Sequence, residues 1–391
     1  MTDTPLDLVV IHLDGGNDAL NTLVPFDDPH YHDHRPTIGL RRGDTITLPG
    51  LPGSTQAGEP IPAVLPLDDR VGLHGALGLF ERMYREGNLA ILRGIGYPDR
   101  NRSHFRSLDI WSTANPEAEV TDGWLGRTAA ALDPKHVSPV LAVNVGSRLP
   151  LALSSPGALA ASMQSLDSYD MLPGHGPHAT AAVRGLYGDH TLPDPWRVAQ
   201  RFGSSALEGI DLLRAGRDKY RHQTTYPPFS ALASRLQTIA QVKAAGVGSR
   251  IFWTSHGSYD THDNQLQTQA GLFQELSAAV EAFLDDLAGQ DTERGTVILI
   301  FSEFGRRVAE SLGGTDHGGA GIAFLLGDRV RGGMYGEQPS LHPDDLIDGD
   351  LAPSLDFRAL YTSLLDQFVQ VEPEQVLPRV LAPLNLHGRT A

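Results

Sequence analysis

Apolar residues in this chain gather in short runs separated by polar, glycine-containing stretches. Residues 6–13 are mostly apolar and rich in β-branched side chains, the pattern of a central parallel strand buried on both faces. Between 73 and 85, Leu77, Phe80, Met83 and Tyr84 fall at helical spacing with Gly87 as the stop, and 89–96 reads as a second buried strand. Helix followed by strand is one crossover unit of a parallel sheet. A polar turn then enters a helix expected to carry Phe105, Leu108 and Trp111 on one side. Residues 139–145 and 150–153 read as strands, 205–215 and 231–245 as amphipathic helices, and 250–254 as a short strand. A long amphipathic helix over 265–287 precedes strands at 296–301 and 321–326. Two stretches break the rhythm: 28–66, rich in Pro, Gly, Asp and Thr with short strands such as 45–48, and 154–192, rich in Ser, Gly, Pro and His. Both are expected to be insertions in one domain spanning 1–391, and no internal repeat is evident.

Composition narrows the chemistry. With 391 residues, 40% of them hydrophobic and 20% charged, the chain can bury a substantial core. Its net charge of −16 leaves no broad basic field to attract nucleic acid or an anionic membrane, although small anionic substrates stay possible where a bound cation dominates the local field. Cysteine is absent, so disulfides, thiolate metal sites and a cysteine nucleophile are excluded, and metal ligands must come from oxygen or imidazole donors. No apolar run reaches the roughly 20 residues of a membrane span. The first seven residues are too short for a signal peptide. The expected location is therefore cytoplasmic, or exported (periplasmic or extracellular) if a leader is trimmed; oligomeric state is left open.

Four polar clusters follow apolar strands, and in parallel α/β sheets such clusters converge beyond the carboxyl ends of the strands. The first is Asp14-Gly15-Gly16-Asn17-Asp18, two carboxylates around a flexible turn that is equally an ordinary loop entry. The second is Asn101-Arg102-Ser103-His104, where Ser103 is either a helix cap or a nucleophile favoured by free helix N–H groups. The third, SHGSYDTHDNQ, packs Asp260 and His262 into the densest donor group of the chain, suited to Zn, Mn or Fe better than Ca. The fourth combines Glu303 and Arg306, in SEFGR, with Asp316-His317 set between glycine pairs. A structural salt bridge is the plainer reading of Glu303 with Arg306, and a surface loop that of Asp316-His317. Ser162, Ser165, Ser168, His175, His178 and the acidic run 344–350 are read as solvated loop, Trp124 as core, and Arg127 as a weaker site candidate.

GGNDALNTLVP, NRSHFRSLDIW, DGWLGR, DTHDNQ, SEFGRR and GGTDHGG, in this order, resemble the domain-of-unknown-function family 1501, sulfatase-like proteins grouped with the alkaline phosphatase superfamily. The resemblance implies a doubly wound, mostly parallel sheet sandwiched by helices, with a one- or two-metal centre at its carboxyl edge. Carried over by position, Asp18 or Asp14 would be the first ligand and Ser103 the candidate nucleophile, with metal-bound water as the alternative. Asp260 and His262 would be the mid-chain ligands and Asp316 and His317 the late ones. Two departures stand out: Glu303-Phe304 occupies the place where the superfamily often has Asp-His, and Asp260 and His262 are closer than its usual Asp-x-x-x-His. The implied function is a metal-dependent hydrolase of phosphate or sulfate esters, using a divalent Zn, Mn, Fe, Ca or Mg ion. Arg306, with Arg102, would hold the anionic oxygens of a small ester, and His104 would shuttle protons. The alternatives are a non-catalytic binding protein on a degenerate fold and a phosphotransferase or mutase.

Overall fold

The structure, a computed structural model, describes residues 4–49, 58, 60–135, 138–156, 158–169, 177–188, 196–217, 220–222, 224–290, 292 and 294–388. Parts of both expected insertions, with His175, lie outside these residues.

Among the described residues nine strands form the central sheet: β1 (Asp7–Asp14), β2 (Leu89–Gly96), β3 (Ala142–Val145), β4 (Ala160–Met163), β5 (Ile251–Gly257), β6 (Thr296–Phe301), β7 (Gly321–Gly327), β8 (Gly333–Tyr335) and β9 (Leu355–Asp356). Their order is β8-β2-β7-β6-β1-β5-β3-β4, with β9 also on β2. β1 lies between β5 and β6 with parallel pairing on both sides, and its central place explains the apolar run Leu8–Ile11. Alternate residues feed two cores. Val9, Ile11 and Leu13 pack on one face with Leu77 and Phe80, whereas Leu8 and Val10 pack on the other with Ile110 and Trp111. The first face is covered by α1 (Gly78–Arg85), α4 (Ala231–Ala244) and α5 (Gln265–Ala288). The second is covered by α2 (His104–Thr113), α3 (Trp124–Leu132) and α6 (Phe357–Ser363). This is a mixed α/β architecture with a large, mostly parallel sheet between helices.

Of the described strands of this sheet, β7 alone runs antiparallel, against β6 and β2, and it therefore starts at the edge where β1, β2, β5 and β6 end. The segment 302–320 leaves and rejoins the sheet at that one edge, which is how Asp316-His317 comes to stand beside Glu303.

Several local expectations change. Residues 72–74 form a short strand, so the helix read over 73–85 begins at Gly78. Residues 151–153 form a single 3₁₀ turn, and the sheet's edge strand is instead β4, inside the stretch read as an insertion. Phe105 is 86% exposed; the buried stripe of α2 is Ser107, Ile110, Trp111 and Ala114, the i, i+3, i+4, i+7 set. Trp124 does enter the core, stacked on Tyr361 at 4.0 Å.

Candidate metal centre

Two glycines let the chain turn off β1. Gly15 has φ +115° and Gly16 φ +76°, and a Cβ at Gly15 would lie 2.4 Å from the Asp260 nitrogen, so the first cluster presses directly on the third. That contact brings the loop after β1 against the loop after β5. Beyond them the start of α2 supplies His104 and the 302–320 segment supplies Glu303 and His317.

Three imidazoles meet here. His104 Nδ1 lies 2.7 Å from Glu303 Oε1, His262 Nδ1 lies 3.0 Å from Asp316 Oδ1, and His317 Nδ1 lies 2.8 Å from the Arg102 carbonyl oxygen. A carboxylate or carbonyl oxygen only accepts, so each Nδ1 carries the proton and each neutral ring has a bare Nε2. Those bare nitrogens point at one another: His104 to His317 at 3.0 Å and His262 to His317 at 3.2 Å. Asp260 Oδ1 joins them, 3.1 Å from His317 Nε2 and 2.9 Å from His262 Nε2. Four acceptors converging on one point repel unless a proton or a cation lies between them. Nitrogen and carboxylate donors, each turned by an acceptor behind it, form the set that borderline divalent metals take. His104, Asp260 and His317 alone place three ligand atoms within 4.8 Å of one another.

Glu303 organises the inner wall. It is buried, with Oε1 taking the Gly15 N–H at 3.0 Å as well as His104, and Oε2 lying 3.0 Å from His12 Nε2. Burial alone would raise its pKa, but hydrogen bonds from His104 and His12 hold the carboxyl far below the ordinary glutamate range. His12, Asp14 and Glu303 make a second group of closely spaced donors. His12 was missed by the sequence reading because it sits inside an apolar strand. Its signal was the period of two: His12 and Asp14 share a strand face, and His12 alone interrupts the apolar face begun by Leu8 and Val10.

The partners of the other expected site residues are as follows. Asp18 is buried, caps a short helix and pairs with Arg35 through both oxygens at 2.5 and 3.0 Å. Arg306 is fully buried and donates to the carbonyls of Gly15, Gly16, Tyr259 and Thr315 and to Asp260 Oδ1 at 2.5 Å. It thus pins three loops and orients the Asp260 carboxylate instead of presenting a fork to open solvent. Arg102 turns its side chain to Asp350, and Arg127 holds the carbonyls of Thr113, Asp122 and Val376. Ser103 is exposed at the start of α2, and among the described residues its hydroxyl carries no hydrogen bond. The run 344–350 is not wholly solvated, since Asp350 is completely buried. Among the described residues no helix is long and apolar enough to cross a membrane.

Residues 6–381 match the family described as "Protein of unknown function (DUF1501)", and the chain belongs to that family. No curated protein sequence matches it. Among solved structures, a provisionally assigned sulfatase from Bacteroides thetaiotaomicron aligns at 12% identity and TM-score 0.30, over 97% of this chain and 74% of that one. A 2-O GAG sulfatase aligns at 12% identity and TM-score 0.28, over 94% and 71%. The C-terminal periplasmic domain of EcEptC from Escherichia coli, in complex with Zn, aligns at 9% identity and TM-score 0.31, over 99% and 90%.

Proposed function

We propose that this member of the DUF1501 family is a metal-dependent hydrolase of phosphate or sulfate esters. The observation that carries the reading is the meeting of three bare imidazole nitrogens with the Asp260 carboxylate at the carboxyl edge of a parallel sheet. His104, Asp260, His262 and His317 would hold a divalent ion. Glu303, Asp316 and the Arg102 carbonyl fix the ring orientations from behind. When bound, the ion supplies positive charge for the nonbridging ester oxygens and acidifies a nearby hydroxyl.

The chain's own groups do the rest. Arg306 keeps Asp260 ionised: burial opposes the charge, but the guanidinium's hydrogen bond and field hold its pKa below the usual value. Ser103 presents an unengaged hydroxyl next to His104 at the start of a ten-residue helix, where free N–H groups favour an anion. Its oxygen would attack in line, forming the serine O–P or O–S bond as the bond to the ester oxygen breaks, with the serine proton reaching the departing alcohol through solvent. Water would then attack the serine ester, releasing phosphate or sulfate and restoring the serine hydroxyl. Glu303 keeps the His104 proton on Nδ1, so His104 acts as a ligand in place of the proton shuttle its sequence position suggested.

Metal content and turnover of aryl phosphates, phosphodiesters and aryl sulfates by wild type, His317→Ala, Asp260→Ala and Ser103→Ala test this. The expected result is about one or two equivalents of metal in wild type and Ser103→Ala, a loss of metal by at least roughly tenfold in the other two, and turnover in wild type alone. Wild type holding less than about a tenth of an equivalent after metal supplementation would remove the hydrolase reading. Full turnover by Ser103→Ala would move the nucleophile to water.

A further inference from the structure

Asp350, fully buried, is met by three guanidinium groups. Arg100 Nε lies 2.7 Å and Arg102 Nη2 2.8 Å from Oδ2, and Arg307 Nε is 3.4 Å from Oδ1. Among the described residues the only other carboxylate in contact is Asp348, 3.2 Å from Arg100 and 81% exposed. Three cations against two carboxylates leave one positive charge in surplus, in a chain whose formal charge is −16.

Neutralising Asp350 takes one arginine. The second and third repel the first and each other, an arrangement that an added anion relieves. Arg102 and Arg307 are also placed to meet one, with side chains 40% and 36% exposed. Arg102's hydrogen bonds to Asp350 and to the Asp348 carbonyl oxygen, and Arg307's hydrogen bond to that same carbonyl, hold both forks in place before any ligand arrives.

The patch adjoins the imidazole cluster. The Arg102 carbonyl takes the His317 Nδ1 proton, and the Arg307 N–H bonds the Asp316 carbonyl at 3.0 Å. Gly319, two residues past His317, packs on Arg100 so tightly that a Cβ would lie 2.6 Å from its Cδ.

We propose that Arg102 and Arg307, seated on Asp350 with Arg100, form a second anion subsite, so that the substrate carries another phosphate, sulfate or carboxylate group a few bonds from the ester that is cleaved. The proposal rests on the hydrolase reading for the identity of the first group. Guanidinium forks match such oxyanions in pairs of parallel hydrogen bonds, and two tethered anions gain from the effective concentration their linkage creates.

Propylphosphonate and 1,3-propanediphosphonate, which are not hydrolysed, separate the two ideas. Calorimetric titration is run on zinc-loaded and metal-free protein at low salt, with zinc content measured afterwards to exclude stripping. The diphosphonate is expected to bind zinc-loaded wild type at least about tenfold more tightly than the monophosphonate, with a ratio near one in Arg102→Ala/Arg307→Ala and an intermediate ratio in Arg102→Lys/Arg307→Lys. Equal affinities in wild type overturn the subsite, with no variant needed. Monophosphonate binding that requires zinc, with no gain from the second group, leaves the hydrolase reading standing alone. Arginine-dependent diphosphonate binding that ignores zinc upholds the subsite and removes the metal-based reading, and no binding of either probe removes both.

Discussion

A neutral imidazole has one N–H, and what that N–H touches decides what the other nitrogen can do. At the candidate centre the Nδ1 protons of His104, His262 and His317 go to acceptors behind the rings, leaving Nε2 for a ligand. His74 shows the same residue type put to structural use. Its Nδ1 accepts the Ala76 N–H at 3.1 Å, its ring meets Phe273 edge-on at 5.1 Å, and burial pushes its pKa down from 6.5 to about 3. Below about 6.5 the unfolded chain takes a proton that the folded one refuses until about 3. Stability attributable to this group is therefore complete above 6.5 and declines through that window as pH falls. At pH 5 the deficit is about 2 kcal/mol. Replacing His74 by Gln should remove it, so the stability gap between wild type and His74→Gln measured by urea unfolding should narrow by about 2 kcal/mol between pH 7.5 and pH 5. A gap that stays constant would show that His74 takes up its proton in the folded state as readily as in the unfolded one.

Whole elements decide which of several similar carboxylates reaches the centre. The loop after β1 offers Asp14 and Asp18, and composition alone does not separate them. The backbone does: the short helix beginning at Ala19 puts Asp18 at its cap, and Arg35, Gln265 and the Leu20 N–H take up both its oxygens. The Leu20 N–H is a local cap contact, but Gln265 lies 247 residues away in sequence, where nothing local could reveal it. Asp18→Asn should accordingly lower stability by about 3–5 kcal/mol, because Arg35 is left buried with a neutral partner, while metal content measured on folded protein stays at the wild-type level. Metal loss without a stability change would return Asp18 to the ligand set. The strands themselves were legible, since 297–301 is apolar throughout and 89–96 is broken only by Arg93. The reversed direction of β7 was not, because an antiparallel strand buried on both faces has the same apolar run as a parallel one. Convergence at one sheet edge could be read from strand-then-polar punctuation, whereas the roles of Arg306 and His12 depended on pairings across 290 and 291 residues.

At the scale of the molecule, the two cores and the centre are separable. Each face of the sheet carries its own large apolar cluster, and neither contains His104, Asp260, His262 or His317. The four candidate ligands instead come from three segments that meet only at the carboxyl edge, so an ion there would join chain pieces whose own attachment to the sheet is already secured. Because a ligand held by the folded state alone stabilises it by RT ln(1 + [L]/Kd), a metal at about a thousand times its dissociation constant would contribute about 4 kcal/mol. Chelation should therefore lower the melting temperature by several degrees and leave the far-ultraviolet circular dichroism at 25 °C unchanged. Hydrogen exchange should rise in the segments around 102–106, 258–264 and 311–319, and not in β1 or β6, whose amides are protected by the sheet. Collapse of the spectrum on chelation would mean that the ion, not the apolar cores, holds the sheet together. An unchanged melting temperature in protein shown to have carried metal would place that metal somewhere other than among the converging imidazoles.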